Sequence, residues 1–236
     1  MTDSPRLAAV VFDLDDTLYP YRQFVSSGFR AVAAEVEREH GVPSALALRA
    51  LWRARVAGDR GREVQYLCRA LDLPAILAPT LVNLVREHMP TLRLPERSRR
   101  LLQRLRPSWR LGILTNGSPT IQARKVAALG VASLVDAVVF ASACGDGRGK
   151  PAGDGFHAVL ERLNTPAGSA VFVGDDGPAD IEGAAGVGMR TIHLLRGQRR
   201  ADAQASPACS DAAVTTLLKV PEIAERLVFK GGAHVV

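Results

Sequence analysis

Apolar residues recur with two different periods along this chain of 236 residues. Continuous apolar runs rich in β-branched residues, typical of strands buried on both faces, lie at 7–12, 110–115, 136–140, 170–174 and 189–194. Apolar residues at helical spacing lie between them, at 96–106, 119–129, 153–163 and 179–187. Residues 197–211 are predicted to form a loop, 212–217 an edge strand and 221–228 a last helix. Because strands and helices of this length alternate, the pattern predicts an α/β fold with a doubly wound parallel sheet.

No strand pattern appears between about residues 20 and 93. Apolar side chains there recur at helical spacing in four segments, 22–39, 44–57, 62–72 and 75–88. The first segment is followed by Gly41 and Pro43, a typical helix stop. These segments predict a four-helix insertion, so that residues 1–19 and 94–236 form a core domain and residues 20–93 a helical domain.

The composition is that of an ordinary soluble enzyme, since 47% of the residues are hydrophobic and the chain can bury a large core. We recognise no signal peptide and no run that approaches the roughly twenty apolar residues of a membrane span. Cys68, Cys144 and Cys209 are far apart, so neither a disulfide framework nor a zinc site is predicted. We therefore expect a cytoplasmic protein.

A net charge of +6 and a pI near 9.7 suit either nucleic acid or an anionic substrate as partner. The arginines are dispersed through helical segments without interleaved aromatic residues, which favours solvated helix faces. We expect a small-molecule phosphate monoester as partner and neither nucleic acid nor a membrane. The assembly is expected to be a monomer or a homodimer.

Carboxylates follow directly after the first predicted strand, in the run Val10 to Tyr19. Asp13 and Asp15 are two residues apart, so in an extended chain their side chains point to the same side. Ligands of open α/β sheets bind at this edge, and two converging carboxylates favour a hard divalent cation, above all Mg²⁺. The alternative is a strand that ends in a simple Asp-rich turn.

Three later segments bring polar groups to the same predicted edge. They are Thr115-Asn116-Gly117-Ser118 after one strand, Lys150-Pro151 in a glycine-rich loop, and Gly174-Asp175-Asp176 with Asp180 after another strand. Taken singly, each has an ordinary explanation as a common turn, a solvated lysine or a helix N-cap.

Together the four segments resemble the motifs of the haloacid dehalogenase (HAD) superfamily, in order and in spacing. The matching residues are Asp13, Asp15, Thr17, Thr115, Lys150, Pro151, Asp175 and Asp180. The resemblance extends from about residue 7 to residue 195 and is weakest between 20 and 93. It implies a Rossmann-like core with an inserted helical cap of the C1 type, hinged over the active site.

The resemblance also implies phosphoryl transfer through a covalent aspartyl phosphate. Asp13 would be the nucleophile, and Asp15 would be the general acid and base. Mg²⁺ is the implied cofactor, with Asp13, Asp175 and the backbone carbonyl of Asp15 as its expected ligands. Asp180 would either bind the metal directly or lie next to its ligands. Thr115, Asn116 and Lys150 would bind the phosphate.

Asp15 favours a phosphatase over a dehalogenase, because a halide leaves without needing a proton. We expect the substrate to be a small-metabolite phosphate such as a sugar phosphate, a nucleotide monophosphate or phosphoglycolate. A phosphomutase of the β-phosphoglucomutase type and a non-catalytic phosphate-binding module are the alternatives. A module would be expected to lack at least one motif residue, and all of them are present.

Asp176 departs from the family pattern, and three arginines of the predicted cap are further candidate residues. Asp176 stands where a small or neutral residue is usual, and we expect it to cap the following helix or face solvent rather than bind metal. In the predicted cap, Arg22, Arg60 and Arg62 are candidates for contact with the leaving group of the substrate. The alternative for each of these arginines is a solvated side chain at a helix end or a loop tip.

Overall fold

The computed structural model describes residues 8–195 and 210–229. These residues form two compact units, one of the described residues up to Pro20 and from Arg93 onward, the other of Tyr21–Leu92. The expected division into a core domain of residues 1–19 and 94–236 and a helical cap domain of residues 20–93 stays a prediction. Most of the loop predicted at 197–211 lies outside the described residues.

The larger unit contains a sheet of six parallel strands, which confirms the predicted doubly wound fold. The strands are β1 (Ala9–Phe12), β2 (Arg110–Thr115), β3 (Ala137–Phe140), β4 (Ala170–Gly174), β5 (Arg190–Leu194) and β6 (Ala212–Val214). Their order across the sheet is β3-β2-β1-β4-β5-β6. The direction of winding therefore reverses between β1 and β4, where ligands of such sheets bind.

The smaller unit is helical, as its sequence pattern predicts. Its helices are α1 (Arg22–His40), α2 (Ser44–Val56), α3 (Glu63–Ala70) and α4 (Leu77–Glu87). They share an apolar core that includes Val32, Val36, Leu51 and Leu67, all of which are fully buried. Helix α1 ends at Gly41, whose φ of 67° is readily adopted by glycine, and its N–H donates to the Glu37 carbonyl.

Helices of the larger unit cover the sheet. They are α5 (Glu96–Leu105), α6 (Pro119–Leu129), α7 (Gly153–Arg162), α8 (Gly183–Gly186) and α9 (Val220–Phe229). All four residues of β1 are completely buried, and Phe156 of α7 contacts Phe172 of β4 with ring centroids 5.2 Å apart. Burial on both faces explains why the strands are continuous apolar runs rather than alternating ones. Among the described helices, none combines the length and the apolarity needed to cross a bilayer.

Two predicted elements differ from the structure. The helix predicted over 179–187 is a wide π-helical turn at Gly177–Glu182 followed by the short α8. The Asp176 carbonyl accepts from the N–H groups of both Asp180 and Ile181, which widens the turn. The edge strand predicted over 212–217 ends at Val214, because Thr216 caps a 3₁₀ turn by accepting the N–H of Leu218.

Candidate active site

The site is built at the carboxyl ends of β1 and β4, where the winding of the sheet reverses. Asp13 directly follows β1, and its N–H donates to the Val173 carbonyl at 2.9 Å, so β1 and β4 remain paired up to the carboxylate. Asp175 directly follows β4, and its carbonyl oxygen lies 3.2 Å from Nε2 of His193, at the end of β5. Neighbouring strands thus fix the backbone beneath both acidic side chains.

A third carboxylate, that of Asp180, reaches the site from the π-helical turn. Its Oδ2 accepts the N–H of Asp176 at 3.1 Å, and the residue is almost completely buried. The side chain lies against Gly174, where an added Cβ would be 2.6 Å from Cβ of Asp180. Glycine at position 174 is therefore what leaves room for the Asp180 carboxylate.

Lys150 joins two of these acids. Its Nζ donates to Asp13 Oδ1 at 2.7 Å, to Asp180 Oδ1 at 2.6 Å and to the Leu114 carbonyl at 3.2 Å. The Lys150 side chain is 2% exposed, so these interactions are made away from solvent. The structure thus brings together the lysine of the glycine-rich loop, the acid that follows β1 and the acid of the π-helical turn.

Charge and burial shift the pKa values of this cluster. Burial raises the pKa of the Asp13 carboxyl from 3.8 to about 8. The ammonium of Lys150 lowers this pKa and the Asp180 carboxylate raises it further, but burial has the largest effect. Burial lowers the pKa of Lys150, but the carboxylates of Asp13 and Asp180 outweigh it, so the pKa lies above its ordinary value. Both directions are those expected of a site with more negative than positive charge.

The three carboxylates suit a divalent cation. Asp13, Asp175 and Asp180 each offer one carboxylate oxygen, and these atoms all lie within 4.8 Å of one another. Carboxylate oxygens are the hard ligands that Mg²⁺ prefers, and a positive charge here would offset the repulsion among them. The donor set therefore fits the Mg²⁺ implied by the sequence.

Asn116 and Thr115 lie at the end of β2, beside the glycine-rich loop. The Asn116 side chain binds the backbone of Lys150 at both ends, accepting its N–H at 2.7 Å and donating to its carbonyl at 2.9 Å. Gly149, with φ of 71°, lets the loop pass close to this amide. Thr115, expected to donate its hydroxyl to phosphate, is the buried last residue of β2. Phosphate binding by Thr115, Asn116 and Lys150 stays a prediction.

Asp15, the expected acid and base, has neighbours that the sequence interpretation missed. Its carboxylate accepts from Lys125 Nζ at 2.7 and 3.0 Å, from Gln122 Nε2 at 3.0 Å and from the Tyr19 hydroxyl at 2.5 Å. Gln122 and Lys125 are buried on one face of α6 with Val126 and Leu129. The sequence signal that could have identified these neighbours is the presence of two polar residues on an otherwise apolar helix face. Lysine is also rare here, with four lysines against twenty-six arginines.

Asp176 takes the capping role considered for it. Its Oδ1 accepts the N–H of Ala179 at 2.9 Å, and this bond caps the π-helical turn. The residue is partly exposed and stands beside the acidic cluster without being part of the group whose ligand atoms converge.

The three arginines expected to contact the substrate, Arg22, Arg60 and Arg62, belong to the helical unit. Arg22 places its guanidinium 4.9 Å from the ring centroid of Trp52, in cation–π geometry. Arg60 and Arg62 are exposed residues near the start of α3. Contact between any of them and a substrate stays a prediction.

Comparison with known proteins identifies the family. A model of haloacid dehalogenase-like hydrolases matches residues 7–188. The chain is 33% identical over 203 residues to ribulose-1,5-bisphosphate 5-phosphatase of Halopiger xanaduensis, covering 78% of this chain and 83% of that protein. It is 30% identical over 200 residues to glyceraldehyde 3-phosphate phosphatase of Pyrococcus abyssi, covering 81% and 83%.

Structural comparison agrees at the level of the fold. The solved structure of an HAD phosphatase from Thermococcus onnurineus matches with a TM-score of 0.59 and 23% identity, over 97% of this chain and 100% of that one. The chain belongs to the haloacid dehalogenase-like hydrolases, and the resemblance inferred from its four motifs is confirmed.

Proposed function

We propose that this phosphoric monoester hydrolase of the HAD family releases phosphate from a small sugar phosphate, with Mg²⁺ as cofactor and an aspartyl phosphate at Asp13 as intermediate. The observation that carries the proposal is the cluster of Asp13, Asp175 and Asp180, in which Asp13 and Asp180 pair with the buried Lys150. Such a cluster suits a reaction in which a carboxylate must approach an anionic phosphate.

In the first step, a carboxylate oxygen of Asp13 attacks phosphorus, and the bond from phosphorus to the leaving oxygen breaks. The bonding electron pair goes to the leaving oxygen, and Asp15 donates a proton to it. In the second step, a water oxygen attacks phosphorus and gives its proton to Asp15. The bond between phosphorus and Asp13 breaks, which restores the Asp13 carboxylate and releases inorganic phosphate.

Positive charge and hydrogen-bond donors make this attack possible. Asp13, Asp175, Asp180 and the Asp15 carbonyl would hold Mg²⁺, which would supply positive charge that offsets repulsion between carboxylates and phosphate. Lys150, fixed by its contacts at 2.7 Å and 2.6 Å to two of the acids, adds a second positive charge next to the nucleophile. The Thr115 hydroxyl and the amide near Asn116 donate to the phosphate oxygens.

The proposed substrate class rests on the relatives and on Asp15. The two relatives described above are named as phosphatases of ribulose 1,5-bisphosphate and of glyceraldehyde 3-phosphate, which supports a phosphorylated sugar. An acid at position 15 suits a leaving alkoxide, which needs a proton, and does not suit a halide. Nucleotide monophosphates and phosphoglycolate are the other substrates that a metabolite panel should contain.

The test is phosphate release from 4-nitrophenyl phosphate and from a panel of small metabolite phosphates, with and without Mg²⁺. We expect release to require Mg²⁺, to stop in excess chelator, and to be fastest with a sugar phosphate. Asp13→Asn should lower turnover by several orders of magnitude. Full activity in chelator, or substantial turnover by Asp13→Asn, would refute the proposed mechanism. Conversion of a hexose 1-phosphate to its 6-phosphate without phosphate release would indicate a mutase instead.

A further inference from the structure

The carboxylate of Asp15 is held from several sides by side chains of the same unit. Lys125 Nζ contacts both of its oxygens, at 3.0 and 2.7 Å, and Gln122 Nε2 donates to Oδ2 at 3.0 Å. The Tyr19 hydroxyl donates to Oδ1 at 2.5 Å. Since donors bind both oxygens, neither torsion of the Asp15 side chain can change without breaking a contact.

Two of these donors come from one helix and are themselves fixed. Gln122 and Lys125 are three residues apart on α6, so they lie on the same helical face. Each residue is only 3% exposed. Burying an ammonium is expensive unless it is paired, so the position of Lys125 is tied to the carboxylate that it meets.

Gln122 also connects Asp15 to the turn after β2. Its Nε2 donates both to Asp15 Oδ2 and to the carbonyl of Asn116, the residue whose side chain binds the Lys150 backbone. If the Gln122 amide were flipped, its oxygen would face the Asp15 carboxylate and the Asn116 carbonyl, which are both acceptors. The NH₂ group must therefore face them. One set of hydrogen bonds therefore connects Asp15, the proposed acid and base, to the loop that carries Lys150.

We propose that Lys125 and Gln122 are positioning residues, which hold the Asp15 carboxylate in the orientation required for proton transfer. This inference rests on the proposed function, because it gives a role to residues that act through Asp15. Neither residue needs to touch the substrate. Proton transfer depends on distance and direction, and a misplacement of about 1 Å can lower a rate about 10²-fold.

The test separates the two chemical steps by choice of substrate. The 4-nitrophenolate of 4-nitrophenyl phosphate leaves without needing a proton, so formation of the aspartyl phosphate needs little help from Asp15. Hydrolysis of that intermediate still needs Asp15 to accept a proton from water. Lys125→Met should therefore release about one equivalent of nitrophenolate rapidly and then turn over about 10²-fold more slowly than wild type. With phenyl phosphate, whose leaving group needs the proton, the rapid phase should be lost.

Matched variants isolate the positioning role. Lys219→Met makes the same change at an exposed lysine of the larger unit and should behave like wild type. Gln122→Met removes the amide donors independently and should also give a rapid phase, with a smaller loss of about tenfold. Thermal melting and binding of inorganic phosphate with Mg²⁺ show whether each variant remains folded.

A double-mutant cycle decides whether Lys125 acts through Asp15. In an Asp15→Asn background, adding Lys125→Met should change turnover by less than about threefold. A full 10²-fold loss of turnover on adding Lys125→Met to Asp15→Asn would overturn the positioning role. So would Lys125→Met and Gln122→Met single variants that both turn over at the wild-type rate and show no rapid phase. Loss of the proposed function is a different outcome, because it appears as a wild-type protein that releases no phosphate or as an active Asp13→Asn.

Discussion

Replacing Gly174 by alanine should disable the acidic cluster without changing any charged residue. An ideal Cβ at this position would lie 2.5 Å from the carboxyl carbon of Asp180 and 2.6 Å from its Cβ. Separations below 3 Å are not tolerated between carbon atoms, and Gly174 is the buried last residue of β4, so the strand cannot retreat. Asp180 must therefore move.

The size of the effect follows from the contacts that Asp180 would lose. They are the ion pair with Lys150 at 2.6 Å and the hydrogen bond from the Asp176 N–H at 3.1 Å. Overpacking of this kind costs about 1–3 kcal/mol of folding free energy. For a domain of this size, about 1 kcal/mol lowers Tm by roughly 2–4 °C. Loss of an ordered acidic group at a metal site should also weaken Mg²⁺ binding by about 10- to 100-fold.

The measurement is a Mg²⁺ titration of 4-nitrophenyl phosphate hydrolysis, together with thermal melting in chelator. Gly186→Ala is the matched control, because a Cβ there would meet nothing within 4 Å and the residue is an exposed helical glycine. We expect Gly174→Ala to need much more Mg²⁺ and to melt several degrees lower, and Gly186→Ala to match wild type. A Gly174→Ala variant with unchanged Mg²⁺ dependence would show that Asp180 does not contribute to the metal site.

Three further predictions follow from individual side chains. Because burial raises the pKa of Asp13 to about 8 in the folded protein, stability in chelator should be greatest at low pH and fall as pH rises from about 4 to about 8. Melting curves should show this slope in wild type and not in Asp13→Asn, and an equal slope in both would refute it. Asp176→Ala removes the cap on the Ala179 N–H and should lower stability by about 1 kcal/mol in denaturant melts, with little change in Mg²⁺ dependence; an equal loss of Mg²⁺ affinity would make Asp176 a ligand. If Arg22 contacts the leaving group, Arg22→Ala should raise KM for the best sugar phosphate much more than for 4-nitrophenyl phosphate. Equal effects on both substrates would mean that Arg22 does not contact the leaving group and only stacks on Trp52.

The strands and helices near the site could be predicted because their limits are local. The predicted ranges 110–115, 119–129 and 170–174 coincide with β2, α6 and β4. Buried parallel strands appear as continuous apolar runs that end where polar residues begin, and α6 begins at Pro119 and is followed by Gly130, both common helix boundaries. The turn after β4 could not be predicted in the same way. Its width depends on the Asp176 carbonyl binding two N–H groups, which apolar spacing does not reveal.

The contacts of Asp15 were beyond sequence reasoning for a different reason. Lys125 and Gln122 are 110 and 107 residues away from it along the chain, and their pairing depends on β1 and β2 being neighbours. Periodicity places both residues on an apolar helix face, but it does not say which strand end that face meets. A buried lysine on such a face implies an acidic partner, and only the sheet order identifies the partner as Asp15.

Burial shapes both halves of this site, with opposite consequences. Around Asp13 it raises the pKa of the carboxyl, because Lys150 is shared with Asp180 and one ammonium cannot balance two buried carboxylates. Around Asp15 the buried Lys125 faces one partly exposed carboxylate, with side-chain exposures of 4% and 25%. The first arrangement is short of positive charge and so favours a divalent cation. In the second, Lys125 contacts both oxygens of the Asp15 carboxylate, which favours a fixed orientation. This difference supports the proposed division of roles, in which the Asp13 cluster binds metal and phosphate and Asp15 transfers the proton.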